Sequence, residues 1–180
     1  MEEQQRIVFH NELIKELLEK NGIVEKGDFI LKSGKNSKIY ISKHKIFANF
    51  ELFNAILSYL ALTIMFGMQT ENFDVILGPA DGGTILAAAL SVPLKKDFAF
   101  AAEFAGGFYL KSEYRSHVKN KRVLIVDDIL TTGNTIKQTK TAVEASGGKV
   151  VGGACIWNRS GEPKIDDITI YSLVLERIDE

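Results

Sequence analysis

Apolar residues recur at helical spacing from Gln5 to Asn21, where Ile7, Leu13, Ile14, Leu17 and Leu18 alternate with charges. This predicts an amphipathic helix, with Gly22 as its stop. Two short strands are expected next, Phe29 to Leu31 and Lys38 to Ile41, on either side of the turn-rich S-G-K-N-S. Phe50 to Phe66 reads as a second helix, closed by Gly67. From there strand and helix patterns alternate. Phe73–Leu77 is a strand, Thr84–Leu90 a small-residue helix and Phe98–Ala102 a strand. Phe108–Leu110 is a short strand, and Lys111–Lys121 is a charged loop. An apolar strand then ends in two acids, Asp127 and Asp128, and a helix runs from about Thr135 to Ser146 before Gly147-Gly148. Lys149–Ile156 and Ile168–Leu175 complete the strands. Strands alternating with helices predict an α/β fold: an open, mostly parallel sheet with helices on both faces.

The densest chemistry lies in R-V-L-I-V-D-D-I-L-T-T-G-N-T, Arg122 to Thr135. A buried strand ends in paired carboxylates and runs into hydroxyls around a glycine. In an open parallel sheet, ligands sit beyond the carboxyl ends of the strands. Thr131, Thr132, Gly133, Asn134 and Thr135 offer small side chains and approachable N–H groups, which at a helix N-terminus bind phosphate. Two acids beside a phosphate would repel it, so they suit another part of the same ligand, such as sugar hydroxyls. A surface strand–helix junction with an acidic cap is the plain alternative. A receiver-type V-D-D strand normally opens its domain, and too little chain follows Asp128 for several more βα units.

A second loop, G-P-A-D-G-G from Gly78 to Gly83, follows the strand F-D-V-I-L. Its three glycines permit close backbone approach. It reads as a pyrophosphate loop or as an ordinary tight turn. Phe29–Tyr40 clusters Lys32, Lys35 and Lys38 around Gly34, as a ligand contact or as a solvated basic face. In I-W-N-R-S-G, Ile156 to Gly161, the Arg159 fork fits a carboxylate, or it caps the strand or pairs with Glu162.

Size and charge narrow the class. The chain has 180 residues, 46% hydrophobic and 25% charged, with net charge −1. That suffices for one domain with a real core, and nothing in the bulk charge points to nucleic acid or an anionic membrane. The single Cys155 excludes an internal disulfide. No secretory signal pattern opens the sequence, and the apolar run Leu57–Met68 is expected to be too short to span a bilayer. A cytoplasmic protein is expected.

The acidic strand with its T-T-G-x-T loop resembles the 5-phosphoribosyl-1-pyrophosphate (PRPP) motif of type I phosphoribosyltransferases. F-x-L-K-S-G-x-x-S looks like the N-terminal hood of the orotate phosphoribosyltransferases. The resemblance spans about Lys26 to Gly161, in the family's order of motifs. It implies a single domain, residues 1–180, with a hood of approximately 1–45 and a core of approximately 46–180. It implies that Asp127 and Asp128 hold the ribose 2′ and 3′ hydroxyls, that Thr131–Thr135 hold the 5′-phosphate, and that Pro79, Ala80, Asp81, Gly82 and Gly83 face the pyrophosphate. Lys32, Tyr40 and Arg159 take the orotate positions. Mg²⁺ would bind mainly through PRPP, near Asp127 and Asp128, in an enzyme that works as a homodimer. Relatives carry a basic residue where Phe104 stands here, and a catalytic loop lysine; Lys111, Arg115 and His117 are the substitutes on offer. A transferase for another base, or a PRPP-binding regulator without transfer chemistry, remains open at this level.

Overall fold

A computed structural model describes residues 12–30 and 36–178. Lys32 and the S-G-K part of the turn, together with the start of the first expected helix, lie outside these residues. Residues 12–20 form α1. It ends in a turn where Ile23 N–H donates to Leu18 O at 3.0 Å and Gly22 takes φ +64°. That is a left-handed C-terminal cap, which glycine adopts without steric cost.

The N-terminal sheet is a two-stranded antiparallel pair, β1 (Val24–Ile30) and β2 (Asn36–Ile41). β1 begins well before the expected Phe29, because pairing with β2 carries the charged V-E-K-G-D run into extended form. Two helices follow, α2 (Lys43–Ala48) and α3 (Phe50–Gly67). α2 has no sequence signal strong enough to announce it. Asn49 caps α3 by accepting from Leu52 N–H at 3.0 Å.

The main sheet contains seven strands: β3 (Val75–Pro79), β4 (Asp97–Phe104), β5 (Gly107–Tyr109), β6 (Arg122–Leu130), β7 (Lys149–Asn158), β8 (Lys164–Ile165) and β9 (Ile168–Leu175). Their spatial order is β5-β4-β3-β6-β7-β9-β8. The five inner strands are parallel, and β5 and β8 pair antiparallel at the edges. The helices α4 (Gly82–Leu94), α5 (Ser112–Val118) and α6 (Asn134–Ala145) connect them.

Leu86 and Leu90 of α4 share a core with α1, with α3 and with Leu124 and Val126 of β6. Ile136, Ala142 and Val143 of α6 pack among residues that include Ile125, Cys155, Val75 and Val123. Helices therefore cover both faces, and the chain changes face between β3 and β6.

Two expectations are corrected. Lys111–Lys121 is not a loop. Its centre is α5, anchored by the buried Val118, with Arg115 Nε donating to Leu110 O at 2.9 Å. The apolar run Leu57–Met68 belongs almost entirely to the 18-residue α3, which by length and composition alone could cross a bilayer. Leu52, Ile56, Leu60, Ala61 and Ile64 of that helix are nevertheless buried in the core.

Candidate active site

Strand β3 continues into β4 on one side, whereas β6 lies on its other side. The loops leaving β3 and β6 diverge to opposite faces, and the crevice between them is where open α/β sheets bind ligands. The β3–β6 ladder runs from Val75/Val123 to Leu77/Ile125, and Asp127 and Asp128 stand just beyond it. The fold alone puts the paired acids at the crevice.

Both carboxylates are buried, Asp127 to 8% exposure and Asp128 to 2%. Asp127 Oδ1 accepts from Asp128 N–H at 2.9 Å, and Asp128 Oδ1 accepts from Ile129 N–H at 2.6 Å. Asp128 Oδ2 has no aligned hydrogen-bond donor, but Lys43 Nζ stands 2.8 Å away as an ion pair. Burial, then the neighbouring Asp128 charge, pushes Asp127 up to about 7. Burial pulls the Lys43 ammonium down, but the charges of Asp128, Asp127 and Asp81 together hold it above its ordinary value. Cys155, in register with Asp127, is a thiol raised by burial and by both acids, so it is no nucleophile.

The loop after β6 presents Thr131, Thr132 and Asn134 to solvent, with Thr135 half-buried. Gly133 has φ +77°, and a methyl on it would sit 2.7 Å from Ile165. No side chain caps α6, so its first-turn N–H groups stay largely available, although Asn134 N–H makes a long 3.4 Å contact with Thr132 Oγ1. The loop after β3 lies against β6. A methyl on Gly83 would meet Val126 O at 2.7 Å, and one on Gly82 would collide with Asp128 Oδ2. Pro79, Gly82 and Gly83 are buried, Ala80 is half-buried, and Asp81 is exposed at the start of α4 with its side chain making no cap bond. The two glycine loops and the acid pair are thus brought together.

Arg159 directly follows β7, which reaches Asn158 rather than stopping at Ile156. Its N–H donates to Leu130 O at 2.7 Å, which sets it beside the end of the acidic strand. The buried Asn158 shapes this turn: its Nδ2 donates to Glu162 O at 2.8 Å and its Oδ1 accepts from Ser160 Oγ at 2.6 Å. Tyr40 is on the outer side of the hairpin with its ring 5.5 Å from that of Phe29, whereas its neighbours Ile39 and Ile41 turn towards the core.

The loop candidates separate. Lys111 Nζ lies 5.7 Å from the centre of the Phe100 ring, and Phe100 is in register with Gly78, so Lys111 stands beside the middle of β4, level with the end of β3. Arg115 is tied to the Leu110 carbonyl. His117 is a correction. It precedes Val118 at the far end of α5, where Lys121 N–H bonds Val118 O, and Arg122 and Lys149 begin β6 and β7. That is the amino end of the sheet, away from the acids. Phe104 ends β4 and is 74% exposed, edge-on to Tyr109. Sequence reasoning missed Lys43 altogether; no local pattern links it to Asp128.

Among the described residues no cluster of three or more His, Cys, Asp or Glu forms a metal cage. Two neighbouring carboxylates suit an oxygen-loving divalent cation that arrives with most of its ligands on a polyphosphate.

The family model described as the phosphoribosyl transferase domain matches residues 51–179. Orotate phosphoribosyltransferase of Bartonella quintana (strain Toulouse) is 39% identical over 136 residues, 75% of this chain and 69% of that protein. Its counterpart in Caldanaerobacter subterraneus subsp. tengcongensis is 34% identical over 155 residues, covering 86% and 78%. The crystal structure of orotate phosphoribosyltransferase from Aeropyrum pernix superposes with a TM-score of 0.74 at 26% identity, over 90% of this chain and 92% of that one.

Proposed function

The chain belongs to the phosphoribosyltransferase family, in its orotate phosphoribosyltransferase branch, and on that premise we propose that it transfers the 5-phosphoribosyl group of PRPP to orotate. The products are orotidine 5′-monophosphate and pyrophosphate, a step of de novo pyrimidine synthesis. The observation that carries the reading is the buried Asp127–Asp128 pair at the switch point, flanked by glycine loops on both sides.

Asp127 and Asp128 receive the ribose hydroxyls, the N–H groups of Thr131–Thr135 hold the 5′-phosphate, and the Pro79–Gly83 loop receives the pyrophosphate. Arg159 and Lys32 orient the anionic base and Tyr40 stands on its hood side. A pyrimidine nitrogen forms a bond to C1 of the ribose as the C1–O bond to pyrophosphate breaks, with that bond's electron pair leaving on pyrophosphate and the proton of the nitrogen passing to pyrophosphate or water. Charge at C1 peaks in the transition state, and the fixed carboxylates lie beside it. Mg²⁺ would be held mainly by PRPP, with Asp127 and Asp128 close by, and would neutralise charge on the departing group. Lys111, at the start of α5, is the candidate cation for assisting the departure of pyrophosphate. The experiment is direct: orotate consumption with PRPP and Mg²⁺, followed by absorbance. Turnover establishes the reading, and no turnover with retained PRPP binding establishes a PRPP-binding regulator. The exposed Phe104, where a cation was expected, is the observation that favours the regulator. A panel of bases separates orotate from other acceptors.

The enzyme works in the cytoplasm as a homodimer. Phe50, Leu62, Met65 and Phe66 of α3 and Val92 of α4 are exposed and give such a dimer an apolar surface. Light scattering of the purified chain measures this.

A further inference from the structure

Lys43 is the first residue of α2, directly after the N-terminal hairpin. This short segment is tied on two sides. Towards the hairpin, Ser42 N–H donates to Ile23 O at 2.8 Å, Ser42 Oγ donates to Glu25 at 2.9 Å, and Lys45 Nζ reaches the same carboxylate at 2.7 Å. Towards the core, Ile46 is fully buried and Lys43 Nζ stands 2.8 Å from Asp128 Oδ2. The Lys43 side chain keeps 37% exposure, while that of Asp128 keeps 3%. A half-exposed lysine thus reaches into the floor of the site to meet a carboxylate that is almost fully enclosed.

Asp128 has little freedom to answer any change there. Gly82 closes one side of it, since even a methyl at that position would collide with Oδ2. Ile129 N–H holds Oδ1. Lys43 forms an ion pair with Oδ2, and the charges of Asp127 and Asp81 act on the same ammonium. The charges of three acids therefore meet at a position that must admit a polyanion, and Lys43 is a cation that the fold brings among them.

We propose that Lys43 is a positioning residue for PRPP: its ammonium holds the Asp128 carboxylate in the orientation that receives the ribose hydroxyls and offsets the acid cluster against the incoming phosphates. The proposal rests on the reading of Asp127 and Asp128 as the ribose-binding pair. Because the lysine is carried by the segment that follows the hairpin, the hood and the PRPP site share one ionic contact.

The test is a double-mutant cycle on the full chain, with Mg²⁺–PRPP binding measured by calorimetry and KM for PRPP and for orotate measured separately. Lys43→Met should weaken Mg²⁺–PRPP binding by about tenfold or more, the scale of a lost hydrogen bond to a charged group. KM for PRPP should rise with it, while KM for orotate stays within about twofold. Lys43→Arg should restore most of the loss. In the Asp128→Asn background, Lys43→Met should cause a clearly smaller loss, because the carboxylate it orients is gone and only the charges of Asp127 and Asp81 remain for it to offset. Native PRPP affinity in Lys43→Met overturns the proposal, even if the melting temperature falls, since the lysine is then only structural. Equal losses in both backgrounds also overturn it. A parent protein that binds no PRPP brings down the functional reading itself, and this inference with it, which is a distinguishable outcome.

Discussion

Gly82 and Asp128 are packed so closely that a side chain on the first would occupy the space of the second's carboxylate. One residue opens the helix after β3, and the other lies within the acidic strand β6, two residues before its end at Leu130. The segment leaving β3 is therefore fitted against the acidic strand itself.

Gly82→Ala tests that fit. The added methyl forces either α4 or the carboxylate to move, and overpacking of this kind costs about 1–3 kcal/mol. Melting temperature should fall, and KM for PRPP should rise several-fold in the protein that remains folded. Thermal denaturation and steady-state kinetics on the same preparation check both.

Asp128→Asn keeps the side-chain volume and removes the charge that faces Lys43. PRPP use and the response to Mg²⁺ should weaken while the circular dichroism spectrum is retained. Unchanged PRPP kinetics would remove Asp128 from the ribose site.

Arg159→Ala should lower the efficiency with orotate by roughly one to two orders of magnitude, from the loss of a hydrogen bond to a charged group worth about 1.5–3 kcal/mol. PRPP binding should change little. Equal use of uracil and orotate by the parent protein would contradict the role of this arginine.

The loop cations should now behave unequally. Lys111→Ala, level with Gly78 at the end of β3, should lower kcat by up to about 10²-fold. His117→Ala, at the amino end of the sheet, should match the parent. Both are read from turnover under saturating PRPP.

Asp127 gives a pH signature. Burial, then the Asp128 charge, raises its carboxyl from 3.8 to about 7 in the folded protein. A raised acid favours folding while protonated. Its contribution is complete below about pH 3.8 and is lost as pH rises through about 7. Asp127→Asn cannot ionise, so its melting temperature relative to the parent should improve between about pH 4 and about pH 7 and level off above about pH 8. A constant difference across that range would show that Asp127 is not held as a buried acid.

What the sequence by itself determined was local and periodic. The buried strands, the α/β alternation, the two glycine loops and the adjacent acids are each written within a few neighbouring residues, where period and turn chemistry are decisive. Arg159 was legible for the same reason, as a fork in the loop after a strand. The tertiary structure decided what depends on partners distant in sequence. It placed the face change between β3 and β6, and so brought Gly82 against Asp128. It turned the charged stretch after Lys111 into α5, because Val118 finds a core contact that polar composition does not announce, and so carried His117 away. It set Lys43 on Asp128, a contact between a hairpin-borne segment and the centre of the sheet. Spacing along the chain cannot encode such a meeting: the energy that selects it arises only when burial removes water from the carboxylate and leaves the lysine as its partner.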